Sequence, residues 1–206
     1  MNEWTWNVAT FSAINGLAAH TAWLNPVMAA FALWGGPVLL VLILGLACWR
    51  HRDRYLPAVL TGLAAVLALG VNQVVAAFWF EPRPFVTLPG VTLLLAHSAD
   101  SSFPSDHAVI AGALAVGTLL FARRWGIVAV VVAVLLAFAR VYAGMHYPLD
   151  VIGGLAIGAI VAVLLVNVAA RALPPSFRVG NARAAVDRLV AGSGVEPDRQ
   201  DLRVAD

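Results

Sequence analysis

The sequence predicts an all-α fold: a polytopic membrane bundle of about five transmembrane helices, preceded by an N-terminal interfacial helix. Three observations carry this. The 206 residues are 61% hydrophobic and only 12% charged, with a mean hydropathy of +0.85, whereas a soluble domain has about a quarter of its residues charged. Five apolar runs each approach the ~20 residues that cross a hydrocarbon core. The arginines cluster in alternate connections between these runs, as membrane topology requires.

In chain order, residues 4 to 20 place Trp4, Val8, Phe11, Ile14, Leu17 and Ala18 on one stripe, with Asn7, Asn15 and His20 off it. That spacing suits a helix lying in the membrane interface, or equally one packed on the bundle. The five runs fall at Pro26 to Cys48, Leu56 to Phe80, Ser105 to Leu120, Gly126 to Tyr142 and Pro148 to Ala170, the fourth being short. Gly35-Gly36-Pro37 marks a kink in the first, tolerable where neighbouring helices satisfy the freed backbone groups. Asn72 and Gln73 in the second are expected to bond to a neighbouring helix, and Gly154 and Gly158 in the fifth to mark close helix packing. The connection from Glu81 to Phe103 holds an apolar stretch, Val91 to Ala96, that suits the interface, and a turn at Asp100-Ser101-Ser102.

Arg50, Arg52 and Arg54 join runs one and two, Arg123 and Arg124 join runs three and four, and Arg171 follows run five. The positive-inside rule makes that side cytoplasmic, with the amino terminus outside and the carboxyl terminus inside. Trp49 and Trp125 then mark the inner boundary, and Trp23 and Trp79 the outer one. Residues 1–171 form the membrane-embedded domain. Residues 172–206 read as a cytoplasmic, partly disordered tail, with five arginines and five acidic residues after Pro174-Pro175 and Asn181 as the cap of a short helix.

Composition narrows the function classes. The net charge of +2 comes from scattered arginines, with no lysine, so nucleic acid is not expected as a partner. Cys48 is the single cysteine, which rules out an internal disulfide. The first residues lack the charged-then-apolar pattern of a cleavable signal peptide.

Ionisable residues beside membrane segments are costly and usually mark a site. Here they gather at one layer, the outer face: Arg83, then Ser105-Asp106-His107, then Arg140, His146 and Asp150. A carboxylate on one ring nitrogen of a histidine raises the basicity of the other, so His146 with Asp150 suits a nucleophile. The alternative is a satisfied interfacial pair. Arg83 and Arg140 present forks that match phosphate oxygens; singly, each could instead snorkel to headgroups. Ser105 and Asp106 open a helix whose free N–H groups attract anions, and Ser105 could also simply cap it. His107, once protonated, could hand a proton to a departing oxygen. Together these parts describe phosphoryl transfer. A divalent cation held by the two histidines and two aspartates is the rival arrangement, disfavoured because the arginines would repel it.

The three segments resemble the signature of the type 2 phosphatidic acid phosphatase superfamily: K-x6-R-P, P-S-G-H and S-R-x5-H-x3-D. Arg83-Pro84 match the end of the first motif, Pro104, Ser105 and His107 the second, and Arg140, His146 and Asp150 the third. Phe-Pro-Ser-Asp-His-Ala, Gly-Met-His-Tyr-Pro-Leu-Asp and the stretch from Phe11 to Leu17 are similar to its bacterial undecaprenyl-diphosphatase branch, associated with bacitracin resistance. The resemblance spans residues 7 to 170. It implies that His146 attacks phosphorus to form a phosphohistidine, Asp150 orients it, and His107 protonates the leaving group. Arg83, Arg140, Ser105 and the backbone at Asp106 would hold the phosphate, with no metal or cofactor. The expected reaction releases phosphate from a polyprenyl diphosphate at the outer leaflet, recycling a lipid carrier for envelope glycan synthesis. Phosphatidate or phosphatidylglycerophosphate hydrolysis, a non-hydrolytic lipid or antibiotic transport role, and an inactive family member are the alternatives. Three positions depart from the pattern: Ala76 stands for the lysine, Ala139 for the serine and Asp106 for the glycine. A lost charge-assisted contact at Ala76 is worth about 1.5–3 kcal/mol.

Overall fold

The computed structural model describes residues 3–49 and 51–172. The expected tail, including the helix capped by Asn181, lies outside the described residues, as does Arg50. Eight α-helices follow one another: α1 (Glu3–His20), α2 (Asn25–Ala30), α3 (Gly36–Cys48), α4 (Tyr55–Phe78), α5 (Pro84–Thr87), α6 (Asp106–Phe121), α7 (Arg123–Tyr142) and α8 (Pro148–Ala172). A π-helical turn, Phe31–Gly35, joins α2 to α3, and a 3₁₀ turn, Arg52–Arg54, leads into α4.

Among the described residues, three helices are long and apolar enough to cross a membrane: Tyr55–Phe78, Arg123–Tyr142 and Pro148–Ala169. A fourth span results if the pair Asn25–Trp34 and Gly36–Cys48, bent by 55°, counts as one. The bend falls at the expected Gly35-Gly36-Pro37. The remaining expected run is α6, an apolar helix of 16 residues that is shorter than the other spans. The short run is therefore the third and not the fourth, because α7 begins earlier than expected, at Arg123.

The bundle turns apolar side chains outward. Val59, Val66 and Phe78 on α4, Val131 and Val134 on α7, and Ile160, Leu164 and Val168 on α8 are all exposed, as lipid-facing positions are. Helix α6 is the reverse, buried along nearly its whole length among α3, α4, α7 and α8. It packs closest against α8 through small residues. A Cβ on Gly154 would lie 2.7 Å from the Ser105 carbonyl oxygen, and Cβ atoms on Gly112 and Gly158 would collide with the backbone at Leu155 and Val109. The expected small-residue pair is this seam. In lipid, cohesion comes from such close approach rather than from expelled water.

Helix α1 packs on α7 and α8, and the face it buries differs from the expected stripe. Asn7, Phe11, Asn15 and Ala18 are buried, while Leu17 is exposed. The two asparagines face inward because they have partners. Asn7 Oδ1 accepts from Leu149 N (3.1 Å). Asn15 donates to the carbonyls of Thr92 and Tyr142 and accepts from Thr92 N, each at 2.9 Å. A buried amide with three such bonds fixes the chain as firmly as an apolar side chain does.

That clamp anchors the long connection before α6. Val91 packs with Phe11 and Tyr147, and Leu94 and Leu95 pack with Ala139 and Met145, so this stretch lies on the protein. Asp100-Ser101-Ser102 is not the expected turn. Ser101 pairs with Pro82 in an isolated β-bridge, and Ser102 N donates to Glu81 O (2.7 Å). Backbone pairing with the residues before Arg83 overrides the turn propensity of Asp and Ser.

Candidate active site

Arg140 and His146 are brought together by the end of α7. Gly144 has φ +79°, Met145 N donates to Arg140 O (3.2 Å) and Gly144 N to Val141 O (3.0 Å). This is the left-handed glycine cap that reverses a helix end. A Cβ at Gly144 would also lie 2.7 Å from the Thr92 carbonyl oxygen. The chain turns back so that Arg140 Nη2 lies 3.1 Å from His146 Nε2.

Asp150 is placed by the start of α8. Pro148 occupies the first turn, where a missing N–H costs nothing. Asp150 Oδ2 reaches back to accept from Tyr147 N (2.7 Å), as an acid in the first turn does in a capping box. The same oxygen accepts a short hydrogen bond from Ser102 Oγ. His146 therefore precedes the helix, and Asp150 lies in its first turn. Its Nδ1 lies 2.9 Å from Ser102 O and 3.5 Å from Asp150 Oδ2. A carbonyl only accepts, so Nδ1 carries the proton and Nε2 presents its lone pair.

That lone pair faces two guanidiniums. Arg83 Nη1 is 3.3 Å from His146 Nε2 and also donates to Met145 O (3.0 Å), while Arg83 Nε bonds Asp100 Oδ1 (2.7 Å). Arg83, Arg140, Ser105, His146 and Asp150 are all at most 5% exposed. Burial holds the His146 pKa down to about 4; the Asp150 hydrogen bond opposes this and the two arginines reinforce it. The imidazole is then neutral at pH 7.

Helix α6 delivers the remaining groups. Ser105 N donates to Asp150 O (3.1 Å), tying the start of α6 to α8. The Ser105 hydroxyl does not cap the helix; it is buried without a partner, as is Arg140 Nε. Two unmet donors inside a basic layer suit an anion. The Asp106 side chain leaves the site: Oδ1 accepts from Asn72 Nδ2 (2.7 Å) and Gln73 Nε2 (3.1 Å). This is the expected use of Asn72 and Gln73, and it leaves the backbone N–H groups at Asp106 free of the carboxylate. His107 is half-buried at the next position, near Arg140 and Arg83.

The PAP2 superfamily model matches residues 57–173. The chain belongs to the PAP2 superfamily. It is 37% identical over 163 residues to the undecaprenyl-diphosphatase BcrC of Bacillus subtilis (strain 168), covering 77% of this chain and 81% of that one. It is 31% identical over 162 residues to the bacitracin transport permease protein BcrC of Bacillus licheniformis, covering 77% and 78%. Among solved structures, Aquifex aeolicus LpxE superposes with a TM-score of 0.65 at 28% identity, over 79% of this chain and 95% of that one. The protein is thus a membrane-bound lipid phosphatase of the PAP2 type.

Of the residues expected at the PAP2 site, Arg83, Arg140, His146 and Asp150 form one bonded cluster with Ser105 tied to it through its backbone, and His107 lies beside its arginines. The sequence did not reveal Ser102, Asp100 or the backbone carbonyl of Ala32. Arg140 Nη1 approaches Ala32 O (3.5 Å). No motif spacing links these positions to the site, because backbone groups carry no residue signature. Ser102 and Asp100 were hidden inside what read as a turn. Glu81 was also missed. It is buried, and desolvation followed by the nearby Asp150 raises its pKa to about 7.

Proposed function

We propose that this PAP2 phosphatase hydrolyses a polyprenyl diphosphate, with undecaprenyl diphosphate as the substrate class, to the monophosphate and inorganic phosphate. His146 Nε2 attacks the terminal phosphorus. An Nε2–P bond forms, the bridging P–O bond breaks, and His107 gives its proton to the departing polyprenyl phosphate. A water then attacks the phosphohistidine, His107 takes its proton, and phosphate leaves with His146 restored. Arg83, Arg140, Ser105 and the free N–H groups at Asp106 hold the equatorial oxygens. The observation that carries this is the lone pair of His146 Nε2 held between two guanidiniums while Nδ1 is fixed from behind.

The reaction belongs to the extracytoplasmic face, with the amino terminus outside and the carboxyl terminus in the cytoplasm. Support comes from α7, which begins with Arg123 and Arg124 and ends at Arg140 beside the site. Its 20 residues span about 30 Å at 1.5 Å per residue, so the basic turn and the site lie at opposite ends. Residues 1–171 suffice for catalysis in this scheme, leaving the tail outside the chemistry.

The test is phosphate release by the purified protein in detergent from a panel of prenyl diphosphates, phosphatidate and phosphatidylglycerophosphate, with EDTA present. The expected result is turnover on the diphosphates, lost in His146→Ala. Full turnover in that variant would falsify the nucleophile assignment, and activity restored only by divalent metal would replace the arginine clamp with a cation site. Faster release from phosphatidate would move the substrate class. No release from any lipid would favour a transport role.

A further inference from the structure

The residues just before α6 are paired with those just before α5. Ser101 and Pro82 form an antiparallel bridge, and Ser102 N donates to Glu81 O (2.7 Å). In that register the next pair along is Arg83 with Asp100. Arg83 is still extended there, at φ −67° and ψ 153°. Side chains alternate across an extended chain, and residues 100 to 102 follow that rule. The Ser101 hydroxyl stays within the connection, on the carbonyls of Trp79 and Phe103. Asp100 and Ser102 turn to the site: Ser102 holds Asp150 and His146, and Asp100 Oδ1 accepts from Arg83 Nε (2.7 Å).

The two partners of this ion pair differ in setting. The Arg83 side chain is 6% exposed and that of Asp100 54%. Partial burial works to raise the Asp100 pKa, but the hydrogen bond and charge of Arg83 outweigh it and hold the carboxyl below its usual range. Ser98 Oγ donates to Oδ2 (3.0 Å), and His97 Nδ1 lies 3.5 Å from Oδ1, so the carboxylate is braced from the loop side as well. An ion pair open to water adds little stability, and a negative charge beside a phosphate clamp repels the anion the clamp must hold. What remains for Asp100 is orientation. A guanidinium is planar. Held at Nε by Asp100 and at Nη1 by the Met145 carbonyl (3.0 Å), it has no free rotation left.

We propose that Asp100 is a positioning residue for phosphoryl transfer: from the cross-strand position it grips Arg83 Nε and so aims the far edge of the guanidinium at the phosphoryl group carried by His146. One short extended segment then serves both halves of the site, Ser102 setting the nucleophile and Asp100 the clamp. This inference rests on the phosphatase reading above.

The experiment compares Asp100→Asn, which keeps an oxygen for Arg83 Nε, with Asp100→Ala, which keeps none, in the full chain in detergent. On a prenyl diphosphate, kcat should fall about tenfold in the Ala variant, the loss of one charge-assisted contact, and less in the Asn variant. KM should stay level or drop, because a repelling charge is gone, and unfolding temperatures should stay near that of the wild type. Combined with Arg83→Lys, Asp100→Ala should cost no further kcat/KM, since both act through one guanidinium. Equal losses in the Asn and Ala variants, a raised KM with unchanged kcat, or losses that multiply in the double variant each overturn the proposal. The chain labelled with 15N-arginine gives a readout without turnover. The Arg83 Nε–H signal, assigned by its loss in Arg83→Lys, should be protected from exchange with water in the wild type and exposed in Asp100→Ala; equal protection in both overturns the proposal. A wild-type protein that releases no phosphate from any lipid overturns the phosphatase reading instead, while this signal still decides whether Asp100 holds Arg83.

Discussion

The imidazole of His146 leans on the backbone of Ser102, with Nδ1 2.9 Å from that carbonyl oxygen and 3.5 Å from the Asp150 carboxylate. The carboxylate is engaged by the Ser102 hydroxyl and the Tyr147 N–H. Asp150 therefore supplies negative charge behind the ring and locks Ser102, while the nearer carbonyl is the main support of the tautomer.

Asp150→Asn should consequently lose less than a triad in which the carboxylate sets the tautomer by itself, where the penalty is about 10⁴-fold. A fall in kcat of about 10- to 10³-fold is expected. Ser102→Ala keeps the carbonyl and removes the hydroxyl donor, so it should retain more turnover than Asp150→Asn. Steady-state phosphate release from both variants checks the order. A larger loss in Ser102→Ala would show that the hydroxyl, not the carbonyl, governs the ring.

In the proposed scheme the depressed pKa of His146 sets the acid limb of activity. Protonation removes the attacking lone pair, so kcat/KM should fall as the pH drops through about 4, well below the ordinary histidine range. Activity that rises rather than falls from pH 6 to 5 is the expected profile, because burial also holds His107, the proton donor, at about 4. A limb centred near pH 6.5 would mean that the nucleophile is neither desolvated nor flanked by both arginines.

Glu81 gives stability the opposite dependence. Its carboxyl ionises near 4.5 when unfolded and near 7 in the folded chain. Between those values the unfolded chain releases a proton that the folded one keeps, so this group's contribution declines as the pH rises from 4.5 to 7. Glu81→Gln should match the wild type in unfolding temperature at pH 4 and exceed it at pH 8. Equal curves at both values would place the ionised carboxylate in contact with water.

Arg83 has a geometric task that lysine cannot perform. It bonds Asp100, the Met145 carbonyl and His146 from one planar group. Arg83→Lys keeps the charge and loses the fork, so kcat/KM should fall about 10- to 100-fold, in line with about 1.5–3 kcal/mol for a charge-assisted contact. Parity with the wild type would reduce Arg83 to a source of positive potential.

Gly158→Ala tests the α6–α8 seam. The added methyl meets the Val109 backbone, so the helices must part at a cost of about 1–3 kcal/mol. His107 rides on α6 and Asp150 on α8, so kcat and unfolding temperature should fall together.

The long apolar runs were legible because a bilayer demands length and composition, and the site was legible because buried charge has few other uses. The bend at Pro37 was readable for the same reason as any proline in a helix. Asn7 and Asn15 misled because a stripe drawn from apolar residues ignores polar ones with buried partners. Helix α6 matches its expected run, Ser105 to Leu120, to within one residue at each end. The roles of Ser102 and Ala32 were invisible for a simpler reason: they act through main-chain oxygens, which every residue owns.

The glycine seam between α6 and α8 behaves as an axle. Two helices in backbone contact have no slack to slide or spread, so the groups on them keep their spacing through every turnover. Whatever parting admits a greasy chain must then occur at the circumference, among α1, the clamped loop and the bent first span, like petals around a rigid hub.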